Sequence, residues 1–572
     1  MTDPKLLLRE SLQRIANDAS VDVTFTVEYP RDTAHGDVAT NLPLVAAATW
    51  PNGPHTPRTC AEKICELLQA DETLRVVFAD FSIAGPGFIN GRLQQSWLET
   101  SVAKIVAEED FGRSTLQAGT TILIEFTDPN PFKEFHIGHL MSNSIGEAMA
   151  RLQEWTGATV HRLCYQGDVG MHIAKALWGM ERLMDEESVS LHALSQLDNI
   201  ERVRFLGRAY AAGARAYDDE HYKKEIHDLN AHIYDRSDDD VNERYDAGRA
   251  WSLAYFEEIY ARLGTHFTTY YFESETGVIG RAIVEEFVQK GVFIQSEGAV
   301  IFPGEEYGLH NRVFLNAKGL PTYEAKELGL ATAKKRDYPS ADISVVVTGS
   351  EVQAYFAVVK KALAMIDADL ANMTVHKTHG MLRLTSGKMS SRTGDVVAAT
   401  ALLDETAAAA RARMHDGDDT IADYVGIAAI KYAVLKQTVG KDIVYDPDTS
   451  LAFEGNTGPY LQYTYVRTAS VLRKARETTS NDSVADTTAA EQKVQRLLYK
   501  FPNVIADAAR EYAPSTLCTY LYDVAAAYNE LYASEQIVGS PRQNALLQLT
   551  TAVGVVLGNG LTVLGIPTPE RL

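Results

Sequence analysis

The stretch from Thr121 to Gly170 allows few folds. Thr121-Ile-Leu-Ile-Glu-Phe126 is a short apolar run suited to a buried parallel strand. It passes into a proline-rich loop, Asp128-Pro-Asn-Pro-Phe132. His136-Ile-Gly-His139 then opens a helical pattern carried by Leu140, Ile145, Met149 and Leu152, which Gly157 stops. A second strand, Thr159–Tyr165, ends in Gln166-Gly-Asp-Val-Gly170. Strand, helix, strand in this order builds a parallel, doubly wound sheet, and such sheets bind ligands beyond the carboxyl ends of their strands. Both loops lie there.

At 572 residues the chain has room for several domains. Residues 1–112 read as a small α/β unit. It has helical spacing at Leu6, Leu7, Leu8, Leu12 and Ile15, a second helix over Cys60–Leu68, and a strand from Phe88 to Leu93 after the Gly85-Pro-Gly87 turn. Residues 113–400 hold the doubly wound domain, with a charged helical insertion at about 175–265. The insertion's acidic runs, Asp218-Asp-Glu220 and Asp238-Asp-Asp240, read as solvated helix faces. Strands return at Val292–Phe302 and Ile343–Thr348. Residues 401–450 form a connecting helical segment. Residues 451–572 read as a helix bundle, from the spacing of Val494, Leu497, Leu498, Phe501, Ile505 and Ala508 and of Leu517, Leu521, Val524, Tyr528 and Leu531. The most apolar stretch, 545–566, reads as a buried helix ending near Gly558-Asn559 rather than as a membrane span.

Composition narrows the class. Hydrophobic residues make up 45% and charged residues 23%, ordinary for a globular protein. No basic segment followed by an apolar core opens the chain, so no secretory signal is expected. The four cysteines, Cys60, Cys65, Cys164 and Cys518, form no Cys-x-x-Cys, which argues against a zinc site or a disulfide framework and for a reduced, cytoplasmic protein. The net charge of −22 opposes nucleic-acid binding in general. It is uneven, however: residues 451–572 carry 10 Lys+Arg against 11 Asp+Glu. A local basic face is compatible with this, because net charge speaks to solubility more than to any site.

Two motifs carry chemistry. In His136-Ile-Gly-His139, Gly138 permits close backbone approach, the helix start favours anions, and two imidazoles can donate to a phosphate as charge builds. A His-x-Gly-His string arises by chance in roughly 3% of chains of this composition, so it gains weight from its place after a buried strand. Gly387-Lys-Met-Ser-Ser-Arg392 is a basic, hydroxyl-rich loop suited to clamping a triphosphate. Alone it reads as an ordinary exposed loop, and the pairing of the two motifs is what counts. Glu125, at the end of an apolar strand, needs a cation partner if buried. That cation is either a ligand or an internal arginine.

The two motifs together resemble class I aminoacyl-tRNA synthetases, and the flanking strings resemble the arginyl family. These include Ile124 through Leu140, Gln166–Gly170, Leu206-Gly-Arg-Ala-Tyr210, Pro321-Thr-Tyr323, Gly380-Met381, Leu461 through Arg467, Tyr528-Asn529 with Tyr532, and Leu564 through Arg571. In the N-terminal unit Gly36-Asp37, Asn41 and Gly87-Phe-Ile-Asn90 also fit. The resemblance spans nearly the whole chain. It implies a class I Rossmann-type catalytic domain, a small N-terminal α/β domain at the tRNA elbow, and a C-terminal anticodon-binding helical bundle. It also implies activation of arginine by ATP with Mg²⁺, and transfer to the 2′-hydroxyl of tRNA(Arg), with tRNA bound before activation. His136, Gly138, His139, Lys388, Met389 and Ser390 would handle ATP, with His136, His139 and Lys388 catalytic. Glu125, Asn130, Tyr323, Glu327 and Gln353 would hold arginine. No resident metal site or membrane contact is expected, and the family implies a monomer.

Three positions depart from the family pattern. Tyr323-Glu-Ala-Lys-Glu327 replaces Tyr-x-x-Arg-Asp, which moves the carboxylate by about one methylene. Ser391 stands where the loop usually has Lys, and Thr393-Gly-Asp395 replaces Lys-Gly-Asn. Lys133, three residues before His136, either supplies the missing charge in catalysis or lies solvated on the surface. The tail tyrosines Tyr460, Tyr463, Tyr465, Tyr528 and Tyr532 are shared between core packing and base stacking. Two rival readings are a class I synthetase for another amino acid, such as glutamate or cysteine, and a non-catalytic tRNA binder or arginine sensor.

Overall fold

The computed structural model describes residues 3–572 except 31, 33, 34, 52, 385–397, 415–417, 439 and 477–485. The chain divides into two compact units.

The first unit comprises residues 1–112, 467–502 and 521–559. Its antiparallel sheet runs, in spatial order, Val27–Glu28, Val38–Thr40, Phe88–Leu93 and Phe78–Ala84. Helices Pro4–Asp18 and Pro57–Ala70 bury Leu8, Leu12, Ile64 and Leu68 in one core with Ile89, and Tyr499 joins that core from the later segment. Arg496 reaches Asp37 at 2.8 Å, and the other Asp37 oxygen accepts from Leu93 N–H. Burial pushes the Cys60 and Cys65 thiols up to about 11, so both are protonated packing groups.

The second unit comprises residues 113–466, 503–520 and 560–572. It is built on five parallel strands: β1 (Thr121–Glu125), β2 (Thr159–Gln166), β3 (Thr269–Phe272), β4 (Ile343–Gly349) and β5 (Thr374–His379), in the order β5-β4-β1-β2-β3. The chain leaves β1 toward β2 and later returns on its other side through β4, so the topological switch point lies between β1 and β4. Helix α1 (Ile137–Trp155) crosses from β1 to β2, α2 (Glu273–Gln289) follows β3 directly, α3 (Tyr323–Asp337) precedes β4, and α4 (Gln353–Ile366) follows it.

The structure differs from the expected strands in two places. Val292–Phe302 is not part of the parallel sheet. Ile294–Ser296 and Ala299–Phe302 form a hairpin through Glu297 and Gly298, both at positive φ, in a separate sheet with Arg312–Leu315. The parallel sheet is completed instead by β3 and β5, whose mixed sequences Thr-Tyr-Tyr-Phe and Thr-Val-His-Lys-Thr-His hide the apolar signature. The insertion is helical, with Asn199–Ala216, Glu220–Asp235 and Asp239–Leu263 around a core of Leu177, Phe205, Ile226 and Trp251.

Helix Gln543–Val563 runs past Gly558-Asn559 instead of ending there, and closes at Gly565 with φ +65°. A helical glycine costs about 1 kcal/mol, and burial of Leu557, Leu561 and Val563 exceeds that. Among the described residues it is also the one helix long and apolar enough to cross a membrane, and 56% of its apolar window is buried inside the protein.

Candidate active site

A cleft of about 890 Å³ opens at the carboxyl ends of the parallel strands, lined from β1 by Glu125, from β2 by Tyr165, from β4 by Thr348, and from the segment after β5 by Met381 and Leu382. This volume suits small-molecule substrates.

The loop after β1 is strained and tightly held. Thr127, Asp128 and Phe132 all have positive φ (81°, 47° and 67°), unusual for residues with side chains. Ser142 Oγ accepts from Thr127 N–H at 3.0 Å, Asn143 donates to Thr127 Oγ1 at 3.1 Å, and Ser252 Oγ accepts from Phe132 N–H at 2.9 Å. Tyr165 N–H donates to Asp128 at 2.7 Å. These bonds come from α1, β2 and the insertion, so the conformation is fixed from three sides. Asn130 reaches the cleft because Gly167 leaves it room: a Cβ there would sit 2.2 Å from Asn130 Oδ1.

His136 is the N-cap of α1. Its Nδ1 accepts from Gly138 N–H at 3.1 Å and His139 N–H at 3.3 Å, while His139 Nδ1 accepts from His136 N–H at 3.2 Å. The rings stack 3.5 Å apart. With both Nδ1 lone pairs occupied, each ring carries its proton on Nε2. Burial, then the Lys133 charge, pushes His136 down to about 4. Burial, then His136 and Lys133, holds His139 well below the usual histidine range. Both imidazoles line the cleft as neutral Nε2–H donors near pH 7. Gly138 is required here, since a Cβ would press the His136 ring at 3.0 Å.

Carboxyl groups dominate the other end. Glu125 pairs with Lys334 of α3, so the internal cation is a lysine and not the arginine that the sequence allowed. Glu327 lies beside them, and burial followed by the Glu125 charge pushes it up to about 8 against the opposing pull of Lys334. Asp128 is raised as well, by burial and then Glu125. Glu273 takes Lys326 at 2.6 Å, with both side chains buried. Tyr323 stands at the mouth, 61% exposed.

Of the residues expected to act here, Glu125, Asn130, His136, Gly138, His139, Tyr323 and Glu327 line one cleft. Gln353 does not. It is exposed at the first position of α4, and Val352, last residue of the preceding 3₁₀ turn, lines the cleft in its place. Lys133 is half-buried with its Nζ 4.8 Å from the Tyr210 ring, so it is not simply solvated. Lys388, Met389 and Ser390 lie outside the described residues. The segments flanking them are at the cleft, however. Leu382 lines it, and Ala398 bridges to His136 with Ala399 N–H donating to Phe135 O at 2.8 Å.

Sequence reasoning missed Asp128, Tyr165, Glu273 and Lys334 as parts of the site. Lys334 had a signal: Tyr323, Glu327 and Lys334 are spaced four and seven apart, along one face of a helix.

A doubly wound sheet with an imidazole-capped helix beside its switch point defines a class I tRNA synthetase catalytic domain, and the family model for the class I (R) catalytic domain matches residues 101–446. The arginyl tRNA synthetase N-terminal domain model matches residues 5–93, and the DALR anticodon binding domain model residues 461–572. The arginine–tRNA ligase of Treponema pallidum is 30% identical, covering 96% of this chain and 94% of its own length. That of Clostridium acetobutylicum is 28% identical over the whole of both chains. The fold is that of Thermus thermophilus arginyl-tRNA synthetase, with a TM-score of 0.80 at 23% identity over 99% of this chain and 100% of the other. The chain belongs to the arginyl-tRNA synthetase family.

Proposed function

We propose that this chain is an ATP-dependent arginine–tRNA ligase whose chemistry takes place in the cleft at the ends of β1 and β4. One observation carries this reading. Two neutral Nε2–H donors and a buried acidic cluster face the same cavity, so one end suits a phosphate and the other a guanidinium. The arginine carboxylate attacks the α-phosphate of ATP, giving arginyl-adenylate and pyrophosphate. The adenylate then passes arginine to the 2′-hydroxyl of the terminal ribose of tRNA(Arg).

In this reading His136 and His139 donate through Nε2 to phosphoryl oxygens as charge develops, and Gly138 lets the backbone approach. Lys388, Met389 and Ser390 clamp the phosphates, and Lys133 adds positive charge where Ser391 lacks it. Asn130, Tyr323, Glu327 and Glu125 orient arginine, with Glu125 neutralised by Lys334. Mg²⁺ would enter with the nucleotide's phosphates. The 1–112 unit contacts the tRNA elbow and the 451–572 helices read the anticodon. Tyr463 and Tyr532, each 39% exposed, are the tyrosines placed for stacking, whereas Tyr528 is core. A cytoplasmic monomer completes the reading.

Arginylation of total tRNA by the purified protein, with and without Mg²⁺, tests it, together with ATP–pyrophosphate exchange over an amino-acid panel. Magnesium-dependent charging with arginine is expected. Preferential activation of another amino acid, or tRNA binding without charging, overturns it.

A further inference from the structure

The acidic end of the cleft holds more negative charge than the described residues balance. Glu125 and Asp128 come from β1 and its following loop, Glu327 from α3. Lys334 is committed to Glu125, and Lys326 to Glu273 of α2. Arg312 lies 3.6 Å from Glu324. Among the described residues no ion pair reaches Asp128 or Glu327. Lys360 shares a small cavity with Glu327 but donates to Thr374 O at 2.7 Å, and the phenols of Tyr165 and Tyr355 are kept neutral chiefly by burial. Asp128 and Glu327 are half-buried, beside the buried Glu125, and two such carboxylates without a cation cannot both stay ionised at low cost.

We propose that this cluster holds a proton in the empty cleft, and that the guanidinium of incoming arginine displaces it, so that binding releases about one proton to solvent. The inference rests on reading the cleft as the arginine site. The guanidinium brings a permanent charge and gives up no proton itself, so the proton must leave a carboxyl group. Asp128 accepts from Tyr165 N–H, which favours its ionised form, but burial and the Glu125 charge raise it as they raise Glu327, so the two carboxyls share the proton. Glu327 is pushed up to about 8. His136 and His139 are already neutral near pH 7 and contribute nothing to the exchange.

The sign follows directly. A carboxyl group that must ionise to bind its ligand weakens binding below its pKa, so the arginine Kd falls as pH rises and levels off above about 9. Between pH 7 and pH 9 the affinity gain is about tenfold. Titration calorimetry of the full-length protein with L-arginine at pH 7, in phosphate and in Tris, reads the released proton as a difference in observed heat. The decarboxylated analogue agmatine, which keeps the guanidinium and the amine but lacks the carboxylate, is expected to release the same proton. Glu327→Gln, which removes one carboxyl that the guanidinium would meet, is expected to weaken arginine binding and to shrink the heat difference between the two buffers. Arginine binding by the native protein with equal heats in both buffers and a flat Kd from pH 7 to 9 overturns the proposal while leaving the arginine reading intact. Failure of arginine to bind at any pH, with another amino acid binding instead, sinks both.

Discussion

Lys334 ends against Glu125 at the carboxyl end of β1, and both side chains are almost wholly buried, at 4% and 2% exposure. The pair joins the sheet to α3, with Glu125 lining the cleft and Lys334 behind it. It neutralises the carboxylate that the sequence offered as a grip for arginine, and it leaves Glu327 and Asp128 lining the cleft with no ion pair among the described residues.

Removing one member of such a pair strands a buried charge, at a typical cost of 3–5 kcal/mol, about 4 here. Lys334→Met is therefore expected to lower the urea midpoint sharply. Pairing it with Glu125→Gln should recover most of the loss, since two neutral groups leave no orphan charge. Equilibrium unfolding of the two variants checks this, and equal midpoints would count against the pair's structural role.

His136 has separable duties as a helix cap and as an Nε2–H donor. Asparagine caps helices well, so His136→Asn should leave thermal stability within about 0.5 kcal/mol while slowing ATP–pyrophosphate exchange about 10²-fold. His136→Ala should also lose about 1 kcal/mol of stability. Since His136 titrates at about 4, it stays neutral until pH falls that far, and no histidine limb from it should appear in the exchange rate between pH 6 and 8.

Lys133 lies near enough for its charge to depress both imidazoles. Lys133→Ala is expected to slow adenylate formation about 10²-fold, with little change in tRNA affinity. Single-turnover exchange kinetics measure it. An unchanged rate removes Lys133 from catalysis and leaves it as a cation packed on Tyr210.

Lys431 is a buried lysine that donates to Leu263 O at 2.6 Å and Gly565 O at 2.8 Å, and burial pushes it down to about 7. Between pH 7 and about 10 the unfolded chain holds a proton here that the folded chain does not. Folding should therefore gain about 1.4 kcal/mol per pH unit across that window, relative to Lys431→Met. Unfolding curves of the two proteins at pH 7, 8 and 9 give the difference directly, and parallel pH profiles would refute the shift.

Much of the architecture is written locally. The apolar run at 121–126, the helix that His136 caps and the break at Gly157 follow from residue pattern, because burial and hydrogen-bond periodicity act over a few neighbours. Asn130, His136, His139, Tyr323 and Glu327 were legible as a group because their strings are specific, and the structure brings them to one cleft. β3 and β5 were not legible, since they are the two edge strands of the sheet and Tyr271 and His379 become buried only through tertiary packing. The 3₁₀ turn before α4 that put Val352 and not Gln353 at the cleft was equally hidden. The partner of Glu125 was the decisive unknown. Residue types alone required a cation, but which one arrives depends on how α3 packs on the sheet, and only the tertiary structure brings residues 125 and 334 together. Charge neutralisation in a buried site is a sum over neighbours in space, and those neighbours are far apart in the chain.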